Sequence, residues 1–395
     1  MSAGGDRPAR ILFVDHAAVL GGAELSLLDI ATAFRQRAAV ALFEDGPFAT
    51  ELVARNVAVM VIAAGVALKR VKKSSRIPSP GALATMLVTA FELARAARGY
   101  DLLYANSPKS FLISAIAGII ARRPVVWHVR DIISTEHFSR ANVRLLVAAA
   151  NRRAARVVAN SQATADAFVA AGGRRDRVTV VHNGIDAALF DCLAPDTRLT
   201  VRRALGIAHD AFLVGSFSRL HPWKGQRVLL DALDTLPGVH AIVVGGALFS
   251  GEEPFEAELR ARVSQPPLSG RVQLLGTRGD VPSLIAACDV VVHTSVLPEP
   301  FGRVLVEALL AYRPLIASNA GGVREIVEDG VTAQLVAPGD AAELARAIQR
   351  VRDDPARATD MAAAGSADVR RRFTHDALIA GVSSVVDGVL SVVRR

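Results

Sequence analysis

The sequence predicts an α/β protein of two domains, each a parallel sheet covered by helices, and three observations carry that prediction. The chain has 395 residues, which at roughly 150 residues per domain implies two or three domains and excludes one small one. Its hydrophobic fraction is 51% against 21% charged, enough apolar matter for sizeable cores and too much for a chain disordered throughout. Short apolar runs also alternate with turns and longer helical patterns, the repeat of a βα unit.

In the first half the apolar runs fall at residues 11–15, 38–43, 57–62, 102–104, 125–129, 157–159 and 178–181. Their unbroken apolar character is that of strands covered on both faces, as in a parallel sheet between helices. After Asn183-Gly184 comes an irregular stretch through Asp191, Pro195 and Asp196, then a short helical segment. The pattern restarts with runs at 212–216, 241–244, 272–275, 290–293, 315–318 and 333–336. The boundary is therefore expected near residue 190, giving domains 1–190 and 191–374. The segment 375–395 is helical in pattern and fits against either domain. Two such domains imply an interdomain cleft at the carboxyl ends of their sheets, where open α/β sheets place ligands.

Composition excludes several classes. Cys192 and Cys288 are too few for a disulfide framework and form no CxxC pair, which points to a reduced, cytoplasmic setting. The start of the chain, MSAGGDRPARILFVDH, lacks the h-region and cleavage pattern of a signal peptide, and apolar stretches such as 111–121 are too short to span a bilayer. The balance of 46 basic against 38 acidic residues includes a local run, Lys69, Arg70, Lys72, Lys73 and Arg76, in a Ser- and Pro-containing loop. That run reads as a solvated loop or as peripheral contact with an anionic membrane or acceptor. Without aromatic interleaving or zinc-finger spacing it does not read as a nucleic-acid site. HExxH, GxSxG and Walker A sequences are absent, the nine histidines show no metal-ligand spacing, and no metal or cofactor is expected.

Polar residues follow several strand runs. Gly21 and Gly22 lie in VDHAAVLGGAE before a helical pattern, either as a plain turn or as a close backbone approach to a phosphate. The spaced G-x-G-x-x-G of a dinucleotide site is missing. His128, in VVWHVRD, is either a structural core histidine or a donor to a substrate hydroxyl, with Arg130 and Asp131 close in sequence. Arg219 and Lys224, in SRLHPWKG, either point into solvent or clamp a diphosphate and offset charge on a departing phosphate, with Trp223 stacking or packing beside them. In PEPFGRVLVEALL, Glu299 precedes a helix start expected near Phe301 and Gly302, with Glu307 eight residues on. The amides of Phe301, Gly302 and Arg303 suit an anionic phosphate, and the two carboxylates suit ligand hydroxyls. Gly321 and Gly322 repeat the glycine turn, as a site wall or a structural turn.

Taken together, GGAE, HNGID, SRLHPWKG and PEPFGRVLVEA with its E-x7-E spacing resemble the GT-B glycosyltransferases of family 4, across nearly the full length. The resemblance implies two Rossmann-like domains facing an interdomain cleft, the first completed by the C-terminal helix. It also implies metal-independent, retaining transfer from a nucleotide diphosphate sugar held mainly by the second domain to an acceptor held mainly by the first. Carried over residue by residue, Arg219 and Lys224 match the basic pair at the donor diphosphate, Glu307 the acid at the ribose, and Glu299 the acid near the transferred sugar. His128 matches the first-domain histidine near the reacting sugar, and Gly22 the loop glycine near the phosphate. GTRGDV leaves uridine and guanosine both open as the base. The other readings are a sugar-nucleotide epimerase or hydrolase and a noncatalytic sugar-nucleotide-binding protein.

Overall fold

The computed structural model describes residues 8–62, 80–249 and 251–393, so the basic run from Lys69 to Arg76 lies outside the described residues. The chain divides into two compact units, Met1–Asn183 with His375–Arg395, and Gly184–Thr374. The division falls after Asn183, ahead of the position expected near 190. The reason is packing: Ile185 and Phe190 are buried in the core of the second unit, and the Ile185 amide bonds the Phe373 carbonyl at 3.0 Å.

The first unit holds β1 (Ile11–Asp15), β2 (Ala38–Leu42), β3 (Ala58–Val61), β4 (Leu102–Ala105), β5 (Val125–Val129), β6 (Ala154–Ala159) and β7 (Val178–Val180). They form one parallel sheet in the order β3-β2-β1-β4-β5-β6-β7. β1, β2, β4 and β5 are buried along their whole length, as unbroken apolar runs predict. β3 departs from that expectation, with Ala58 and Val61 exposed, because it is an edge strand with one flank unpaired.

The second unit holds β8 (Phe212–Phe217), β9 (Val239–Val244), β10 (Val272–Gly276), β11 (Val290–His293), β12 (Leu315–Ser318) and β13 (Gln334–Val336). Its parallel sheet runs β10-β9-β8-β11-β12-β13. Both units are thus Rossmann-like, and together they have the GT-B fold. In each, strand order reverses beside the first strand, between β1 and β4 and between β8 and β11. Helices leave such a point toward opposite faces and open a crevice at the carboxyl ends of the strands.

The helix His375–Val393 is long and apolar enough by length and composition to cross a membrane, unlike the stretches singled out from sequence. Its apolar face has a simpler occupation: Leu378, Val382, Val385, Val386, Val389 and Leu390 are buried in the first unit's core with Leu27, Ile30 and Phe13.

Candidate active site

The crevice of the second unit is built by loops that the sequence forces together. Gly225 follows Lys224 at φ +71°, and a Cβ there would lie 1.9 Å from the Thr294 carbonyl oxygen, so only glycine lets the loop after β8 press on the end of β11. The contact is stitched by Thr294 Oγ1 donating to the Lys224 carbonyl at 2.9 Å and the Val296 amide donating to the Trp223 carbonyl at 2.8 Å. Lys224 is thereby carried to Glu299.

Glu299 is buried, and three donors converge on its Oε2: Lys224 Nζ at 2.7 Å, Ser295 Oγ at 2.9 Å and His293 Nε2 at 3.0 Å. Burial pushes the carboxyl pKa up, but the Lys224 charge and the His293 hydrogen bond outweigh it and hold the group well below the usual range. Glu299 is an anion there, suited to accept hydrogen bonds and unsuited to give a proton. Burial in turn pulls the Lys224 pKa down, with Glu299 opposing. Nε2 of His293 carries the proton given to Glu299, and its Nδ1 is buried with no hydrogen-bond partner among the described residues.

The Glu299 segment leans on the glycine turn: the Gly322 amide bonds the Glu299 carbonyl at 2.8 Å, and a Cβ on Gly321 would lie 2.3 Å from that oxygen. Gly321 and Gly322 therefore serve backbone approach at this end of β12. The following helix, Arg303–Leu310, begins close to where the sequence places it, with Gly302 at φ +93° as its N-cap. Phe301 is core: its side chain is buried against Phe373, ring centroids 5.5 Å apart. Arg303 and Glu307 share one helix face, Nε to Oε1 being 3.6 Å.

Arg219 lies on the same loop as Lys224 but pairs elsewhere, with Glu252, while its guanidinium carbon is 6.0 Å from the Trp223 ring centroid; Lys224 Nζ is 4.0 Å from that centroid. The structure thus brings Arg219, Trp223, Lys224 and Glu299 together in the second unit.

In the first unit, strand alternation sends Trp127 to one face, stacked on Phe111 at 4.4 Å, and His128 to the other, fully buried. Tyr104 Oη lies 2.9 Å and Arg130 NH2 3.2 Å from His128 Nδ1. A guanidinium only donates, so Nδ1 accepts and Nε2 carries the proton. Burial and then the Arg130 charge hold the imidazole pKa well below 6.5. His128 is a neutral ring whose Nε2 is buried with no partner among the described residues.

Arg130 continues a polar network at the ends of β1, β4 and β5. It donates through Nε to Asn106 Oδ1 at 2.5 Å and through NH1 to Asn183 Oδ1 at 2.8 Å, while Asn106 Nδ2 donates to Asp15 Oδ2 at 2.6 Å and to the Ala23 carbonyl at 3.3 Å. Gly22 is the exposed first residue of the helix Gly22–Ala33, so the network links His128 to the GGAE turn. In that turn Glu24 accepts the Gly21 amide at 3.0 Å.

The sequence did not single out Asp15, Glu24, Asn106 and Asn183 here, nor Glu252, His293 and Ser295 in the second unit, and it placed Arg130 beside His128 without giving it a role. Most carried a signal of the kind used for His128, a polar residue at the end of an apolar run: VDH, YANS, VVHTS and VHNG. Among the described residues no group of three or more His, Cys, Asp or Glu is placed to hold a metal ion.

Two families match the chain: Glycosyltransferase Family 4 over residues 20–189 and Glycosyl transferases group 1 over residues 197–368. Among solved structures it is similar to Anabaena Alr3699/HepE in complex with UDP-glucose, at TM-score 0.88 and 42% identity over 96% of this chain and 100% of that one. It is similar to the same protein in complex with UDP at TM-score 0.83 and 43% identity, with the same coverage. Sucrose-phosphate synthase from Thermosynechococcus elongatus, 20% identical at TM-score 0.78 over 98% of this chain and 100% of that one, shares the fold. D-inositol 3-phosphate glycosyltransferase of Mycolicibacterium smegmatis is 32% identical over 232 residues, 58% of this chain, and the chain spans about half of that relative's length, 52%.

Proposed function

The chain belongs to the GT-B-fold glycosyltransferases of family 4, and from that membership we propose that it moves a hexose from a uridine diphosphate sugar to an acceptor hydroxyl, with retention and without a required metal. The observation that carries this reading is the Lys224–Glu299 pair beside Arg219 at the mouth of β8 and β11, in a chain 42% identical to a protein solved with UDP-glucose.

The chemistry asked of the protein is modest, because the donor is already activated. Arg219 and Lys224 offset the charge that grows on the diphosphate as it leaves. The N-terminus of the helix after Gly302 faces the same anion with Gly302 and Arg303 near it, and Phe301 supplies the buried base of that turn. Glu299, held ionised, accepts from hydroxyls of the transferred sugar and fixes its orientation. Glu307, a turn further along, accepts from the ribose hydroxyls. In the first unit the neutral His128 offers an N–H at Nε2 to the reacting sugar, and Gly22 gives backbone access to the phosphate. For transfer on one face of the sugar, the departing phosphate oxygen takes the acceptor proton, so neither glutamate forms a covalent bond.

The reading extends to work on the cytoplasmic side, in peripheral contact with an anionic membrane. Leu83, Leu87, Val88 and Phe91 are exposed along the helix Pro80–Ala97, and the basic run from Lys69 to Arg76 precedes it in sequence. Apolar side chains and basic charge together suit an anionic lipid surface.

A mass-resolved screen of UDP-sugars against hydroxyl acceptors tests the function. Transfer gives a new glycoside and one UDP per sugar moved. An isomeric donor would identify an epimerase, free sugar alone a hydrolase, and donor binding with no turnover a noncatalytic binding protein.

A further inference from the structure

We propose that Glu252 is a positioning residue for the donor diphosphate, anchoring Arg219 so that its guanidinium is presented to the phosphates; this rests on the donor-site reading above. Glu252 is 7% exposed, and its carboxylate divides its oxygens between two tasks. Oε1 takes Arg219 NH1, while Oε2 accepts the backbone amides of Leu248 at 3.0 Å and Phe249 at 3.1 Å. One carboxylate thus ties the loop after β9 to the loop after β8.

Rings and backbone complete the anchor. The Phe249 ring centroid lies 5.3 Å from the guanidinium carbon and that of Trp223 6.0 Å. Gln226, buried below, donates to the Arg219 carbonyl and to Ser218 Oγ, both at 2.9 Å, and fixes the backbone from which the side chain springs. A guanidinium has five N–H donors in a rigid fork, and Glu252 engages one terminal nitrogen. Among the described residues no hydrogen bond occupies the other nitrogens, which stay available to phosphate oxygens. An arginine already fixed by a charge-assisted bond loses little further freedom when the ligand arrives, which is the advantage of preorganisation. The Glu252 charge need not repel the diphosphate, since Arg219 and two amides are spent on it.

The test is a calorimetric double-mutant cycle with UDP on wild type, Glu252→Gln, Arg219→Ala and the double variant. Glutamine keeps an oxygen for the Leu248 and Phe249 amides while removing the charge that holds Arg219. Glu252→Gln should weaken UDP binding about tenfold, and should cause no further loss once Arg219 is alanine. Equal weakening in both backgrounds would mean that Glu252 only props the loop, and would overturn the proposal. Unchanged or tighter binding by Glu252→Gln would overturn it too, the latter showing a competitor for Arg219. Wild type that binds no UDP would overturn the donor-site reading itself, a failure visible before any variant is compared.

Discussion

Glu24 is buried close to Asp15, and burial followed by that neighbouring charge pushes its pKa up to about 8 from an ordinary 4.5. Between those values the folded chain keeps a proton that the unfolded chain has lost, so this group's stabilisation falls as the pH rises through the window. His128 acts in the opposite sense: its pKa is held well below 6.5, so stability is lost as the pH drops below 6.5 and the unfolded chain binds a proton the fold refuses. From 6.5 to 8 Glu24 acts without that opposition. Glu24→Gln keeps an oxygen for the Gly21 amide, and should be more stable than wild type at pH 8 by at least about 1 kcal/mol, with the gap closing toward pH 5. Urea melts at the two pH values check this, and a gap independent of pH contradicts it. The carboxylates of the second unit divide differently. Glu307→Gln should weaken free UDP and intact donor alike. Glu299, proposed to contact the transferred sugar, also holds Lys224 at 2.7 Å, so Glu299→Gln should cut turnover by about 100-fold while weakening UDP by less than about tenfold. Binding calorimetry paired with initial rates measures both, and equal losses of UDP affinity and turnover in Glu299→Gln would refute the division.

At the scale of elements, what the sequence made legible were unbroken apolar runs and the polar residues that end them. Fully buried strands such as β4 and β5 announce themselves because both faces must be apolar, whereas β3 at the edge carries the same residues half exposed. The Lys224–Glu299 pairing was not legible: it joins residues 75 positions apart, and depends on Gly225 pressing against Thr294, which no local pattern encodes. Glu252 escaped notice for a like reason, reaching back 33 positions to Arg219 from a loop rich in acids. The burial of the Phe301 ring in the core was likewise not legible from the turn around it, where only its backbone amide drew attention. One element carries a prediction of its own. The helix Pro80–Ala97 exposes Leu87 and Phe91, and if it rests on lipid, Leu87→Ser with Phe91→Ser should reduce co-sedimentation with anionic vesicles several-fold while leaving UDP affinity unchanged. Equal sedimentation of wild type and variant would remove the membrane from the proposal.

For the molecule as a whole, the two units repeat one architecture with different chemistry at their mouths. The first presents a hydrogen-bonded network of Asp15, Asn106, Arg130 and Asn183 around a neutral histidine; the second presents a lysine, an arginine and an ionised glutamate. Fixed cations of this kind can stabilise a departing diphosphate without a bound ion, so turnover should survive exhaustive chelation at better than about half its initial rate. Loss of activity restored by one divalent ion alone would contradict that expectation.

Lys224, delivered to Glu299 by the Gly225 turn, is proposed to hold the donor diphosphate. Calorimetric titration of UDP into wild type and Lys224→Ala, each verified as folded, tests it most directly. Wild type should bind, and Lys224→Ala should bind roughly 10- to 100-fold more weakly, the worth of a charge-assisted contact of about 1.5 to 3 kcal/mol. Equal affinity in the two proteins would contradict it.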